Sequence, residues 1–366
     1  MQKLTWAGLT DVGRKRSENE DAYIVDAELG LYVVCDGMGG HASGEVASAM
    51  TTEEVHAFVA RRAGGDRSLP YKGEPNASVG ELVISNAIQH ANDKVYVAGM
   101  RDPKLEGMGT TVVAIAEHED QLILAHIGDS RIYRLRDGRL TQVTRDHSLL
   151  NHKIDLGELR TQEEIDNFKQ GNVIVRAIGL KDYVRPETAI HPRVPGDLYL
   201  LCSDGLSDMV DDWSLENVLE ANQDELQEAC GILVRMANDR GGKDNITAVL
   251  VRVDDTPDAG PRWDEPVSRE TPTGQFEVLR EETTAPSRQA FSLSDDDEGG
   301  AEADDAQAFD AGHAADADRT APHIPVFGWD EDDAAVAPAA ATELRRRTQA
   351  TQQLAAFVPP VRRDDD

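Results

Sequence analysis

A chain of 366 residues with 37 Lys+Arg, 68 Asp+Glu and a formal net charge of -31 is a poor partner for nucleic acid or an anionic membrane surface. Its cysteines, Cys35, Cys202 and Cys230, are too few and too scattered for a disulfide framework or a zinc site. No stretch reaches the ~18 apolar residues of a membrane span, and the first residues lack the apolar core of a secretory signal, so a cytoplasmic protein is expected. In chain order, a β-rich apolar run predicts a strand at 31–35, and apolar residues at helical spacing predict a helix at 44–60. A polar joint at 64–80, rich in Gly and Pro, separates this from a second helix at 82–97. Strands follow at 111–115 and 122–127, then a polar excursion at 151–171, a strand at 198–202, a helix at 226–238 and a strand at 246–253. Strands mixed with runs of helices suggest an α+β fold rather than alternating βαβ units.

Beyond Val253 the periodicity stops. Residues 254–366 hold 27 acidic and 10 basic side chains, net -17, against 41 and 27, net -14, in residues 1–253. Pro, Ala, Asp, Glu, Thr and Arg dominate there, a composition that buries too little apolar surface to offset chain entropy. The expected organisation is therefore one globular domain over residues 1–254 and an acidic, low-complexity, disordered tail over 255–366.

Function is most legible where apolar runs end. Val34-Cys35-Asp36-Gly37, Ile127-Gly128-Asp129-Ser130 and Cys202-Ser203-Asp204-Gly205 each finish in an acid followed by a small residue, and Asp244 stands just before the run that starts at Ile246. One such acid is an ordinary turn former. Four of them crowded at the rim of a core repel one another and call for a cation, and an all-oxygen ligand set suits Mg2+ or Mn2+. Near the N-terminus, Arg16-Ser17-Glu18-Asn19-Glu20-Asp21 offers a guanidinium fork for phosphate and two further carboxylates. In Asp36-Gly37-Met38-Gly39-Gly40-His41 the glycines permit close backbone approach, and His41 beside a metal pair would suit a general acid. Cys35 and Cys202 lie inside apolar runs and lack a Cys-x5-Arg phosphate loop, so they read as packing thiols.

Taken in order, these blocks together with Gly109-Thr110-Thr111, Gly128-Asp129-Ser130-Arg131, Ser203-Asp204-Gly205-Leu206 and Asp244-Asn245-Ile246-Thr247 resemble the metal-dependent PPM (type 2C) protein Ser/Thr phosphatases, especially their bacterial branch. The resemblance covers residues 5–253. It implies an αββα sandwich: two antiparallel sheets, helices on the outer faces, and a cleft for two Mn2+ or Mg2+ ions, with a possible third, at one end. It also implies hydrolysis of phosphoserine and phosphothreonine in proteins by a metal-bridging hydroxide. The expected partners are phosphorylated proteins and an opposing Ser/Thr kinase, with no nucleic acid and no membrane, and the expected state is a monomer.

Carried over by residue, the resemblance gives Asp36, the Gly37 carbonyl, Asp204 and Asp244 as ligands of the metal pair. Asp129, sharing with Asp204, resembles the ligand of a third ion, and Glu20 and Asp21 resemble the acids that hold metal-bound water. Arg16 matches the phosphate-binding arginine and His41 the acid that protonates the leaving oxygen. Thr110, Thr111, Ser130 and Arg131 read as turn-shaping residues. Residues 145–176 correspond to a flap over the cleft. The chain departs from the family pattern at 166–172, where members often carry a His-Pro pair. The alternative is a pseudophosphatase, a regulatory module that binds phosphoproteins without hydrolysing them; such modules usually lose a metal acid, and none is missing here.

Overall fold

The computed structural model of the protein describes residues 4–39, 43–255 and Trp263. The expected tail, apart from Trp263, and the expected acid His41 lie outside the described residues.

The elements in order are β1 (Leu4–Asp11), β2 (Asp21–Asp26), β3 (Leu31–Met38), α1 (Ser43–Ala63), α2 (Val79–Arg101), β4 (Gly109–Thr110), β5 (Val112–His118), β6 (Gln121–Ile127), β7 (Arg131–Arg136) and β8 (Arg139–Gln142). There follow α3 (Leu149–Asp155), α4 (Gln162–Asp166), β9 (Glu187–Pro192), β10 (Leu198–Cys202), α5 (Asp204–Ser207), α6 (Asp212–Ala221), α7 (Leu226–Asp239) and β11 (Ile246–Val253). One sheet runs β1-β11-β10-β7-β8; the other runs β2-β3-β5-β6-β9, with β4 paired to β3. The strand pairings within both sheets are antiparallel.

Side-chain alternation sorts the core into three layers. In β3, Leu31, Val33 and Cys35 point toward α1 and α2, while Tyr32 and Val34 point at the other sheet. In β11, Ile246, Ala248 and Leu250 face α6 and α7, while Val249, Val251 and Val253 enter the space between the sheets. Because each sheet is covered on both faces, the central strands read as unbroken apolar runs instead of alternating ones. That is why β3, β5, β6, β10 and β11 were visible in the sequence. The two helices expected before residue 100 are longer than their apolar spacing suggested. The Ser78 hydroxyl and the Glu81 carboxylate cap the start of α2 reciprocally.

The polar excursion expected at 151–171 begins inside the short helix α3 and includes α4, and the segment is closed at its base by a bridge between Ser148 and Ile174. Past β11, Trp263 is 3% exposed and stacks on His118 with ring centroids 5.0 Å apart, so the helix-covered core draws on a residue beyond 254. Among the described residues no helix is long and apolar enough to cross a membrane.

Candidate functional site

The site forms where strands from both sheets end together. Asp21 opens β2 and pairs in register with Asp36 near the end of β3. On the other sheet, Asp204 follows β10 and Asp244 precedes β11. Asp21 ties the sheets together: its Oδ2 accepts from the Ser203 hydroxyl at 2.7 Å and from the Thr247 hydroxyl at 2.6 Å. Its other oxygen, Oδ1, is buried with no hydrogen-bond partner among the described residues, as is Asp129 Oδ1. Of the two acids expected to hold water, Asp21 thus has a single carboxylate oxygen left to offer. Glu20 keeps its side chain in the rim, 3.8 Å from Arg16.

Backbone positions are fixed by a few polar residues. The Asp36 carbonyl accepts from the Thr110 hydroxyl at 2.8 Å and from Thr111 N at 2.9 Å, and Asp36 N donates to Thr111 Oγ1 at 3.0 Å. Thr111 in turn shares a hydrogen bond of 2.7 Å with Ser130, beside Asp129. These contacts are those of turn-shaping residues. Arg131 is also structural, forking onto Asp146 through Nε and Nη2 at 2.7–3.1 Å. At Gly37 a Cβ would stand 2.2 Å from the Gly44 carbonyl oxygen and 2.6 Å from that of Glu20, so only bare backbone fits there.

Asn245, quoted in the sequence only as part of a motif, proves central. Its side chain accepts from Glu20 N at 2.8 Å and donates to the Val12 and Glu18 carbonyls at 3.0 and 2.9 Å. It therefore pins the Arg16–Asp21 loop beside Asp244. Asp146 and Asp208 were also not singled out, although both add negative charge around Asp129, and Asp208 around Asp204. The spacing of Asp208, four residues after Asp204 on a helical turn, was the available signal.

Electrostatics single this rim out. Burial, followed by the charges of Asp21, Asp204, Asp129 and Asp244, pushes Asp36 well above the usual carboxylate range. Burial also raises Asp21 to about 7, Asp129 to about 7 and Asp204 to about 6. Among the described residues the half-exposed Arg16 reaches this rim, with Nη2 2.7 Å from Asp244 Oδ2, while Arg131 is committed to Asp146. Crowded acids with orphaned oxygens, a bare glycine backbone and too few basic partners fit a site for hard divalent cations. Burial raises the thiols as well, Cys35 well above its ordinary value and Cys202 to about 12, so both stay protonated and are poor nucleophiles. A cavity of about 270 Å3 between Tyr71–Lys72 and Tyr183–Arg185 lies apart from the acids of the rim.

Comparison with known proteins agrees with this geometry. A family model described as Protein phosphatase 2C matches residues 13–250. The serine/threonine protein phosphatase PstP of Mycobacterium tuberculosis is 38% identical over 253 residues, which are 69% of this chain and 45% of that one, so this chain spans less than half of that relative's length. The serine/threonine phosphatase stp of Listeria monocytogenes is 35% identical over 248 residues, 67% of this chain and 94% of that one. Among solved structures, the catalytic domain of PstP in complex with two manganese ions superposes with a TM-score of 0.57 at 36% identity, over 69% of this chain and 99% of that one.

Proposed function

This chain belongs to the protein phosphatase 2C family, and we propose that it hydrolyses phosphoserine and phosphothreonine in proteins, using two Mn2+ or Mg2+ ions held at the carboxylate rim. The observation that carries this reading is the cluster of Asp21, Asp36, Asp129 and Asp204, raised together by burial and mutual repulsion with one arginine in reach. The manganese-bound PstP relative supports the choice of metal.

In this reading Asp36, the Gly37 carbonyl, Asp204 and Asp244 would hold the metal pair, and Asp129 with Asp204 would hold a third ion. When bound, such ions lower the pKa of water and offset phosphoryl charge. Glu20 and the free Oδ1 of Asp21 orient water at the rim. Arg16 is half-exposed and tethered at one end to Asp244. With Asp244 engaged as a ligand, this guanidinium would be free to fork onto phosphoryl oxygens and to balance the charge that grows on them. His41, two residues after Gly39 in the sequence, is assigned to protonate the serine or threonine oxygen as it leaves. The buried thiols take no part.

The globular catalytic unit in this proposal runs from the N-terminus through Trp263, whose ring closes over His118. The partners are phosphorylated proteins and the Ser/Thr kinase that this activity opposes, acting in the cytoplasm, with the enzyme as a monomer. Presence of every expected metal acid weighs against the pseudophosphatase alternative. Hydrolysis of a phosphothreonine peptide should require Mn2+ and stop with EDTA; binding of the peptide without phosphate release, at any Mn2+ concentration, would replace this reading with that alternative.

A further inference from the structure

At the base of the flap lies a second cluster that the phosphatase reading leaves unused: His126, His147 and Glu187, whose ligand-type atoms lie within 4.8 Å of one another. Its hydrogen bonds decide what it can be. His147 Nδ1 accepts the Gly128 N–H at 3.1 Å, so in the neutral ring the proton sits on Nε2. That Nε2 donates to Glu187 Oε1 at 3.0 Å. His126 Nε2 donates to the Arg145 carbonyl at 3.0 Å, and its ring stacks on that of His147 with centroids 4.6 Å apart at 15°. Both His147 ring nitrogens are therefore engaged with protein groups, and a metal there would have to break one of these bonds.

The backbone of His147 is equally committed. Its N–H donates to the Gly128 carbonyl at 2.9 Å, and its own carbonyl accepts from Val175 N at 2.9 Å. One residue thus holds both polar groups of Gly128, the glycine with φ +103 that precedes Asp129. The same residue holds the returning segment of the flap at Val175 and, through Glu187, the start of β9. Arg176 Nη1 reaches the same Glu187 oxygen at 3.2 Å from the flap side. His126 and His147 are 5% and 7% exposed, so the bond to Gly128 is shielded from competing water, while the Glu187 carboxylate is half-exposed.

We propose that His147 is a positioning residue that couples the flap to the Asp129 loop: its Nδ1 bond to Gly128 N–H sets the backbone that aims Asp129, while Nε2 and Glu187 anchor the flap. This rests on the phosphatase reading for the meaning of Asp129, but not for the coupling itself. A flap displaced at Val175–Arg176 moves His147, and with it the carboxylate assigned to the third ion. Substrate contact on the flap would in this way change metal occupancy at Asp129 without touching it.

The two arms can be cut separately. Asn at position 147 places an oxygen where Nδ1 stands and keeps the Gly128 bond; Gln reaches toward Glu187 and gives up Gly128. We expect His147→Gln and His147→Ala to speed amide hydrogen exchange across residues 127–130 of the metal-free protein by roughly tenfold, while His147→Asn stays close to wild type there. With Mn2+, the Gln variant should need several-fold more metal for half-maximal peptide hydrolysis at little changed KM, whereas the Asn variant should show the effect in KM, through a loosened flap. Equal behaviour of the Asn and Gln variants in both readouts would overturn the coupling, as would unchanged exchange in either Gln or Ala. If the Ala variant fails to fold, the Asn and Gln pair decides alone. Zn2+ or Mn2+ bound by wild type and lost equally from His147→Asn, His147→Gln and Glu187→Gln would instead make the cluster a metal site and refute the proposal. A wild-type protein with no Mn2+-dependent hydrolysis would defeat the phosphatase reading, and the exchange result would still stand or fall independently.

Discussion

The two ends of the sandwich treat buried acids in opposite ways. At the end where β10 begins, Asp197 is 1% exposed and meets Arg136 Nε at 2.6 Å, and Glu117, near the end of β5, meets Arg193 Nη1 at 2.6 Å with Arg193 fully enclosed. At the other end of the same strands, Asp21, Asp36, Asp129 and Asp204 are brought together with Arg16 as the nearby cation, and that arginine is engaged with Asp244. Nothing in the strands themselves demands this difference. At one end arginines meet the buried acids directly, whereas at the other Arg131 is committed to Asp146 and leaves the four rim acids without a guanidinium of their own. An acid paired with arginine is a structural element, whereas acids left to repel one another raise their own pKa and wait for a different counter-ion. The contrast locates the chemistry without reference to any relative.

The contrast can be broken from the paired end first. Arg193→Ala removes the guanidinium that meets the Glu117 carboxylate in the core, and should cost about 3–5 kcal/mol of folding stability in a denaturant titration, the usual penalty for breaking a buried ion pair. Mn2+ affinity of the protein that remains folded should be unchanged; a shift in metal affinity would mean that the two ends are not independent. At the unpaired end the signs reverse. Asp36→Asn or Asp204→Asn should lower Mn2+-dependent hydrolysis by roughly 100-fold or more. The metal-free variant should melt no lower than wild type, because one repelling charge has gone. Full activity in a folded Asp204→Asn protein would remove that carboxylate from the metal site.

Legibility in the sequence followed burial. Strands covered on both faces announced themselves as apolar runs, and β10 and β11 were bounded correctly. The missed strands are those that mix polar and apolar residues at edges or over partly exposed faces. β9, Glu-Thr-Ala-Ile-His-Pro, has no fully buried position, and β1 alternates a few buried residues with exposed ones. The acids of the rim were legible because each sits where a hydrophobic run stops. Their supports were not. Asn245 bonds to Glu20 across 225 positions, Ser203 to Asp21 across 182, and His147 to Glu187 across 40. Such contacts leave no local pattern, since any polar residue at those positions would read as a turn or loop. Trp263 lay in a stretch whose composition predicted no packing, yet a single aromatic side chain finds the helix-covered core.

The central claim is that the rim acids are left unpaired in order to receive divalent cations, and thermal melts of the metal-free protein against pH test it most directly. Asp21, Asp129 and Asp204 are raised from 3.8 to about 7, 7 and 6, so the folded chain keeps protons that the unfolded chain has released. Their contribution to stability is complete below the unfolded value and is lost as pH rises through about 6 to 7. The account predicts that the melting temperature of metal-free protein falls between about pH 5 and pH 8, that Mn2+ restores it at the upper end and has little effect at the lower, and that Asp36→Asn flattens both responses. A melting temperature that does not fall over this range, together with no stabilisation by Mn2+ at pH 8, would contradict it.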